Sequence, residues 1–258
     1  MTTHTGLANG IGDSVTMIGR CVRLTRRNVE TLITSIMLPV TIMAMFVFVF
    51  GGAINTGTAY VNYVVPGIIL LCTGFGAAST ATAVAEDMKS GMVDRLRSLP
   101  IRSSAVVTGH VVASVARNGL STTVVVVAAV AMGFRPVAGL DGWLVAVGLL
   151  ALYVLALSWF SAGLGMIARS VEAASALGFF MLFLPYLSSA FVPTETMPGV
   201  LRAVSENQPV TPVIETVRGL LMDTPVGNKG WIALAWVIGI LVASFGFATW
   251  AFRRRTRS

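Results

Sequence analysis

From Thr31 to Ala85 the chain runs for 55 residues without a single Asp, Glu, Lys, Arg or His. A soluble protein of this size has no core able to absorb so long an apolar stretch. One helical crossing of a bilayer takes about 20 apolar residues, so the stretch holds two crossings joined by a short turn. Four further segments downstream are uncharged or nearly so. The chain therefore reads as an all-α integral membrane protein. Its composition agrees: 55% of the 258 residues are hydrophobic and 11% are charged, against roughly 25% charged in ordinary soluble domains.

Six transmembrane helices are expected, over residues 31–50, 61–85, 105–134, 143–168, 173–192 and 231–252, within one membrane domain spanning 1–258. Gly51-Gly52 and Asn55-Thr56-Gly57 supply the first turn. A charged loop covers 86–102, Arg135-Pro136 opens a short connection, Arg169 to Glu172 make a tight turn, and a semi-polar segment fills 193–230. Ahead of the first span, Asp13-Ser14 offers a helix cap. Val15, Ile18, Val22 and Val29 follow at helical spacing, with Arg20, Arg23, Arg27 and Glu30 on another face. This pattern predicts an amphipathic helix over 13–30, lying in the membrane interface or packed on protein.

Orientation follows from the basic residues. Thirteen of the 18 Lys and Arg fall on the side holding the N-terminus, the 86–102 loop, the Arg169 turn and the tail, and four fall on the other. The positive-inside rule then places both termini in the cytoplasm. The same rule accounts for the net charge of +7, since no basic patch interleaves with exposed aromatics as nucleic-acid binding requires. Cys21 and Cys72 are separated by a span boundary and indicate no disulfide framework.

Several chemistries lack their residues. Apart from the third span, no span carries an ionisable Asp, Glu, Lys, Arg or His, which removes the usual basis for coupling to a proton or sodium gradient. His4 and His110 are the only histidines, and no metal-ligand spacing or nucleophile elbow occurs. Lys89 and Lys229 are the only lysines, and neither closes a phosphate-cradling GxxxxGK[ST] loop. The chain cannot hydrolyse ATP by that route, so energy for work would come from a partner. Arg117 is the one formal charge well inside a span. The favoured reading is that it snorkels toward an interface from a third segment longer than a straight crossing needs. Gly74 to Ala83 are mostly small residues that allow close helix approach, whether within the chain or toward a partner. The first span is rich in Met and Phe, suited either to an adaptable apolar cavity or to lipid contact.

Two segments carry a resemblance. The loop reads Glu86-Asp87-Met88-Lys89-Ser90-Gly91-Met92-Val93-Asp94-Arg95-Leu96-Arg97-Ser98-Leu99-Pro100-Ile101, with Glu86 and Asp87 expected at the start of a short two-faced helix. After the fifth span come Phe191-Val192-Pro193, Met197-Pro198 and Asn207-Gln208-Pro209-Val210-Thr211-Pro212-Val213-Ile214-Glu215-Thr216-Val217-Arg218. In this order and with six spans, the two motifs resemble the coupling-helix region and the outer segment of ABC-2 type exporter permeases, most like the daunorubicin-resistance type. Gln208, which separates Asn207 from Pro209, departs from the family pattern.

The resemblance implies a half-transporter in the bacterial plasma membrane. Two permease copies, or this chain and a related permease, would enclose a pathway, and two copies of a separate ABC ATPase would bind ATP and Mg below them; no cofactor would bind this chain directly. Glu86, Asp87, Gly91, Arg95, Leu96, Leu99 and Pro100 would couple to that ATPase. Extracellular re-entrant helices carrying Pro193, Pro198, Asn207, Pro209, Thr211, Glu215 and Arg218 would gate the exit, with Glu215 and Arg218 placed to pair at i, i+3. Met43, Phe46, Phe75, Ser79, Tyr186 and Ser189 are candidates for the substrate pathway. The apolar spans argue for a hydrophobic or amphiphilic cargo such as a drug, antibiotic or lipid-like molecule. Export of a lipid-linked glycan on the same fold, and a non-transporting membrane scaffold, are the competing readings.

Overall fold

The computed structural model describes Gly19, residues 29–90 and residues 103–255, and every regular element among them is helical. In chain order these are α1 (Val29–Ala44), which continues through a π-helical turn (Met45–Phe50), then α2 (Tyr60–Lys89), α3 (Ser103–Ala131) and α4 (Leu140–Ile167). There follow α5 (Val171–Phe180), α6 (Phe183–Tyr186), a 3₁₀ turn (Thr194–Thr196), α7 (Gly199–Asn207), α8 (Val210–Leu221) and α9 (Lys229–Arg255). The expected interfacial helix over 13–30 lies almost entirely outside the described residues.

Among the described residues five helical stretches are long and apolar enough to cross a membrane: Ile33–Phe50, Tyr60–Lys89, Val107–Ala131, Leu140–Ile167 and Lys229–Arg254. The expected span over 173–192 is different. Its apolar helical run covers Val171–Tyr186 and is interrupted by a turn at residues 181–182, with further turns at 187–191. Local chemistry explains the breaks. The Met181 N–H closes back onto Gly178 and Phe179, Pro185 has no N–H to give, and the Ser188 hydroxyl donates to the Pro185 carbonyl, competing with helical bonding. By helix rise the run is about 24 Å, short of a hydrocarbon core of about 30 Å.

The bundle is organised around α2, which touches α1, α3, α4, α5 and α8. Its apolar window is 72% buried, against 17–44% for the other four. The small residues expected on α2 are what let neighbours in. A Cβ on Gly178 of α5 would lie 2.9 Å from the Ala78 Cα. One on Gly67 would lie 2.6 Å from the Ala190 Cβ, and one on Gly165 of α4 would strike the Ala81 carbonyl. The small-residue run thus serves packing within the chain. The outer helices instead turn Phe48, Leu140, Leu144, Trp231 and Val242 outward, each at least 65% exposed, as expected of surfaces solvated by lipid.

The long helices alternate in direction, so the ends sort into two groups. At one end, here the cap end, Gly133 takes a φ of +103° that closes α3 as a left-handed C-terminal residue. The N–H groups of Val137 and Ala138 then donate to the Leu221 carbonyl of α8 at 3.1 and 3.2 Å. At the other end, the loop end, α2 and α3 lead into residues 91–102, and α9 finishes in Arg253 and Arg254.

Candidate functional site

At the loop end, Glu86 is exposed and Asp87 partly buried, both in the last turn of α2. The sequence reading set them at a helix start, where the dipole favours acids; in fact α2 runs on to Lys89, and the dipole at its C-terminal end opposes them. Asp87 is steadied across the helix interface instead. Its Oδ2 lies 3.0 Å from Nε2 of His110 on α3, with the two side chains 16% and 10% exposed. Val84, Met88, Val107, Met166 and Phe252 complete a small apolar recess around the pair. Nearby, Ser170 caps α5 by accepting from the Ala173 N–H at 3.1 Å. The Glu172 carboxyl is held below its ordinary range by a bond from its own backbone N–H, then by the Ser170 hydroxyl, with the Lys89 charge acting in the same sense. Gly91, Arg95, Leu96, Leu99 and Pro100 lie outside the described residues.

At the cap end, Arg218 of α8 holds three parts of the chain together. Its Nε donates to the Tyr63 carbonyl at 3.0 Å and its Nη2 to the Ser189 carbonyl at 2.8 Å. Its guanidinium carbon also sits 3.7 Å from the centre of the Tyr63 ring, close cation–π contact. One turn earlier on α2, the Tyr60 hydroxyl donates to the Phe191 carbonyl at 2.8 Å. Glu215 does not pair with Arg218: its carboxylate meets Nζ of Lys229 at 2.8 Å. The correction has a geometric cause, since the Arg218 side chain reaches inward to backbone carbonyls while Lys229 opens α9 beside Glu215. Thr211 Oγ1 accepts from the Ser189 N–H at 3.4 Å.

Three of the gate-candidate prolines stand at the starts of elements here. Pro198 and Pro209 precede the first residues of α7 and α8, where a fixed φ suits a helix start, and Pro193 opens the 3₁₀ turn. Asn207 donates to the Ala203 carbonyl at 2.8 Å at the end of α7. Gln208, the departure from the family pattern, has a job: its amide donates to the carbonyls of Leu184 and Leu187 at 3.2 and 2.9 Å. It ties the cap to the broken apolar segment. The two cap helices differ: α8 is buried against α2, α4 and α9, whereas α7 lies at the surface with Val200, Leu201 and Val204 exposed.

The six candidate pathway residues divide into two levels. Phe46 stacks on Phe191 with centroids 4.3 Å apart, and Tyr186 stacks on the same Phe191 ring at 5.0 Å. Ser189 stands beside them through its bonds to Arg218 and Thr211, and Met43 is buried in the same cluster of core residues. Phe75 and Ser79 lie deeper, about 22 Å or more along α2 from Tyr60 by helix rise. The Ser79 hydroxyl is spent on the Phe75 carbonyl at 3.0 Å. These two are therefore apart from the aromatic group.

Arg117 is not a snorkelling residue. It is 8% exposed and faces α2, where its Nη2 donates to the Gly76 carbonyl and to Thr80 Oγ1, both at 2.8 Å. A polar seam surrounds it: Thr80 donates to Ser114 at 2.7 Å, Ser158 of α4 to Ser114 at 2.9 Å, and Asn118 to the Ser114 carbonyl at 2.9 Å. Ser114, Arg117, Asn118 and Ser121 recur at i, i+3, i+4 and i+7, one helix face. That spacing was present in the sequence, and reading Arg117 as a lone charge passed over it. The Tyr60–Tyr63 pair and His110 were likewise missed, each a polar residue at the end of an apolar run.

Residues 14–222 match the ABC-2 type transporter family. The chain is 27% identical over 219 residues, 84% of its own length and 77% of the relative's, to the daunorubicin resistance ABC transporter permease protein DrrB1 of Streptomyces coeruleorubidus. It is 24% identical over 218 residues, 84% of its length and 79% of the relative's, to the probable doxorubicin resistance ABC transporter permease protein DrrC of Mycobacterium tuberculosis. The match covers α2 with its acidic end, the polar seam and the cap through α8. The chain belongs to the ABC-2 type transporter family, as a membrane permease subunit.

Proposed function

We propose that this permease is one of two membrane halves of an exporter that carries a hydrophobic or amphiphilic compound out of the cell. ATP and Mg are handled by two copies of a separate ATPase docked against residues 86–102. The observation that supports this reading most directly is the course of α2. It is a single helix of 30 residues, about 45 Å long. One end carries Glu86 and Asp87; the other carries Tyr60 and Tyr63, which hold Phe191 and Arg218. A push delivered at residues 86–102 therefore reaches the cap through one rigid, deeply packed rod. Such a helix shifts as a body, because its close contacts with α4, α5 and the 188–191 turn leave little room for bending.

In this reading residues 173–192 form the fifth of six crossings, broken at its turns, and the 193–230 segment closes the outer mouth. Both termini and the 86–102 loop face the cytoplasm. Phe46, Tyr186 and Phe191 then form an aromatic constriction that planar or apolar cargo must pass. The test is reconstitution with an ATPase encoded beside it. Inside-out vesicles should accumulate a fluorescent amphiphile only with ATP and both subunits present; equal accumulation with the ATPase omitted would refute export. Thr196→Cys and Ser90→Cys, in a background with Cys21 and Cys72 replaced, should label from opposite sides of the membrane.

A further inference from the structure

Arg117 is a cation in the middle of a membrane helix, and among the described residues no carboxylate pairs with it. Its two hydrogen-bond partners, Gly76 and Thr80, are neutral. Its Nε is buried without a partner, and so is the Ser121 hydroxyl one turn further along the same face. Two orphan donors and a full positive charge, enclosed by apolar helices, are what a bound anion would satisfy. Packing alone gives no reason for them: a methionine would fill the volume without the desolvation cost of the charge.

We infer that the seam between α2 and α3 at Arg117 is a recognition site for the anionic head of an amphiphile, a phosphate or carboxylate. Nε and the Ser121 hydroxyl supply the donors, and the guanidinium, always charged, supplies the attraction. The inference rests on the exporter reading for its place in a cycle, and it narrows the cargo to molecules with an acidic head. A cationic amphiphile of the same length is rejected by the same charge.

The test uses the full chain in neutral phosphatidylcholine nanodiscs, with dodecyl phosphate, dodecanol and dodecyltrimethylammonium as probes below their micelle concentrations. The wild type should bind dodecyl phosphate at least about tenfold more tightly than dodecanol, and the ammonium probe least. Arg117→Gln should erase that preference, Arg117→Lys should keep part of it, and Ser121→Ala, the milder change, should weaken it several-fold in a folded protein. Nanodiscs containing phosphatidylglycerol distinguish the source of the anion. Competition with dodecyl phosphate in the wild type would identify a lipid headgroup as occupant, and unaltered binding would leave a soluble cargo. A folded wild type without charge preference, or one whose preference survives in both Arg117→Gln and Ser121→Ala, would overturn the site. Binding here needs no ATPase, so that failure is separate from a failure of ATP-driven export.

Discussion

Asp87 and His110 meet at 3.0 Å where α2 and α3 leave the bundle, beside the apolar recess lined by Met88 and Val107. The carboxylate sits at the unfavourable end of α2, so its partner on α3 fixes where the connection begins. In the proposed coupling, a force applied to residues 91–102 would reach both helices at this pair.

His110→Ala should therefore loosen the coupling end more than the fold. Loss of one charge-assisted hydrogen bond at a partly exposed site costs about 1–2 kcal/mol, a small decrease in melting temperature. ATP turnover of the assembled complex should fall while binding of the ATPase is retained. Unchanged turnover in a folded complex would show that the pair has no part in coupling.

Arg218→Met removes two hydrogen bonds and the contact with the Tyr63 ring, and leaves the Tyr63 and Ser189 carbonyls without that donor. The expected loss is about 2–4 kcal/mol, read as thermal unfolding in nanodiscs. Arg218→Lys should recover less than half, because an ammonium cannot span both carbonyls and the ring. By contrast Lys229→Ala, which breaks the pair with Glu215 from a lysine 60% exposed, should cost no more than about 1 kcal/mol.

The glycines of the bundle separate into two kinds that one experiment can tell apart. Gly67→Val drives side-chain atoms into Ala190, whose Cβ already lies 2.6 Å from where the new Cβ would be. Overpacking of this kind costs about 1–3 kcal/mol and should also disturb the cap, since Ala190 adjoins Phe191. Gly148→Ala, with nothing within 4 Å of the new Cβ, should be neutral or stabilising by up to about 1 kcal/mol. Equal destabilisation by both would contradict the packing around α2.

Much of this architecture could be read from charge and hydropathy. The uncharged run from Thr31 to Ala85 fixed two helices and the turn between them, and α4 and α9 followed from the same signal. Over segment 173–192 that signal does not report the breaks in the helix. Hydropathy reports solvation, and Pro185 with Ser188 and Ser189 decides the backbone within a run that is apolar throughout. The Glu215–Arg218 spacing was right for a helix and wrong for a pair, because carbonyls of Tyr63 and Ser189, distant in sequence, compete for the guanidinium. Arg117 was misplaced for a related reason: its acceptors lie 41 and 37 residues away on α2, and no local pattern shows them. Glu86 and Asp87 were found by motif alone, and they stand in the last turn of α2 rather than at the start of a separate loop helix.

The central claim is that the end of α2 transmits the work of a separate ATPase. The most direct measurement is ATP turnover by the complex purified with the ATPase encoded beside it, comparing wild type with Glu86→Ala, whose side chain is exposed and supports no packing in the bundle. The account predicts a stoichiometric complex in both cases and a turnover at least about tenfold lower in the variant, the scale of one lost charge-assisted contact. A stable complex with wild-type turnover in Glu86→Ala, or no complex at all in lipid nanodiscs, would contradict it.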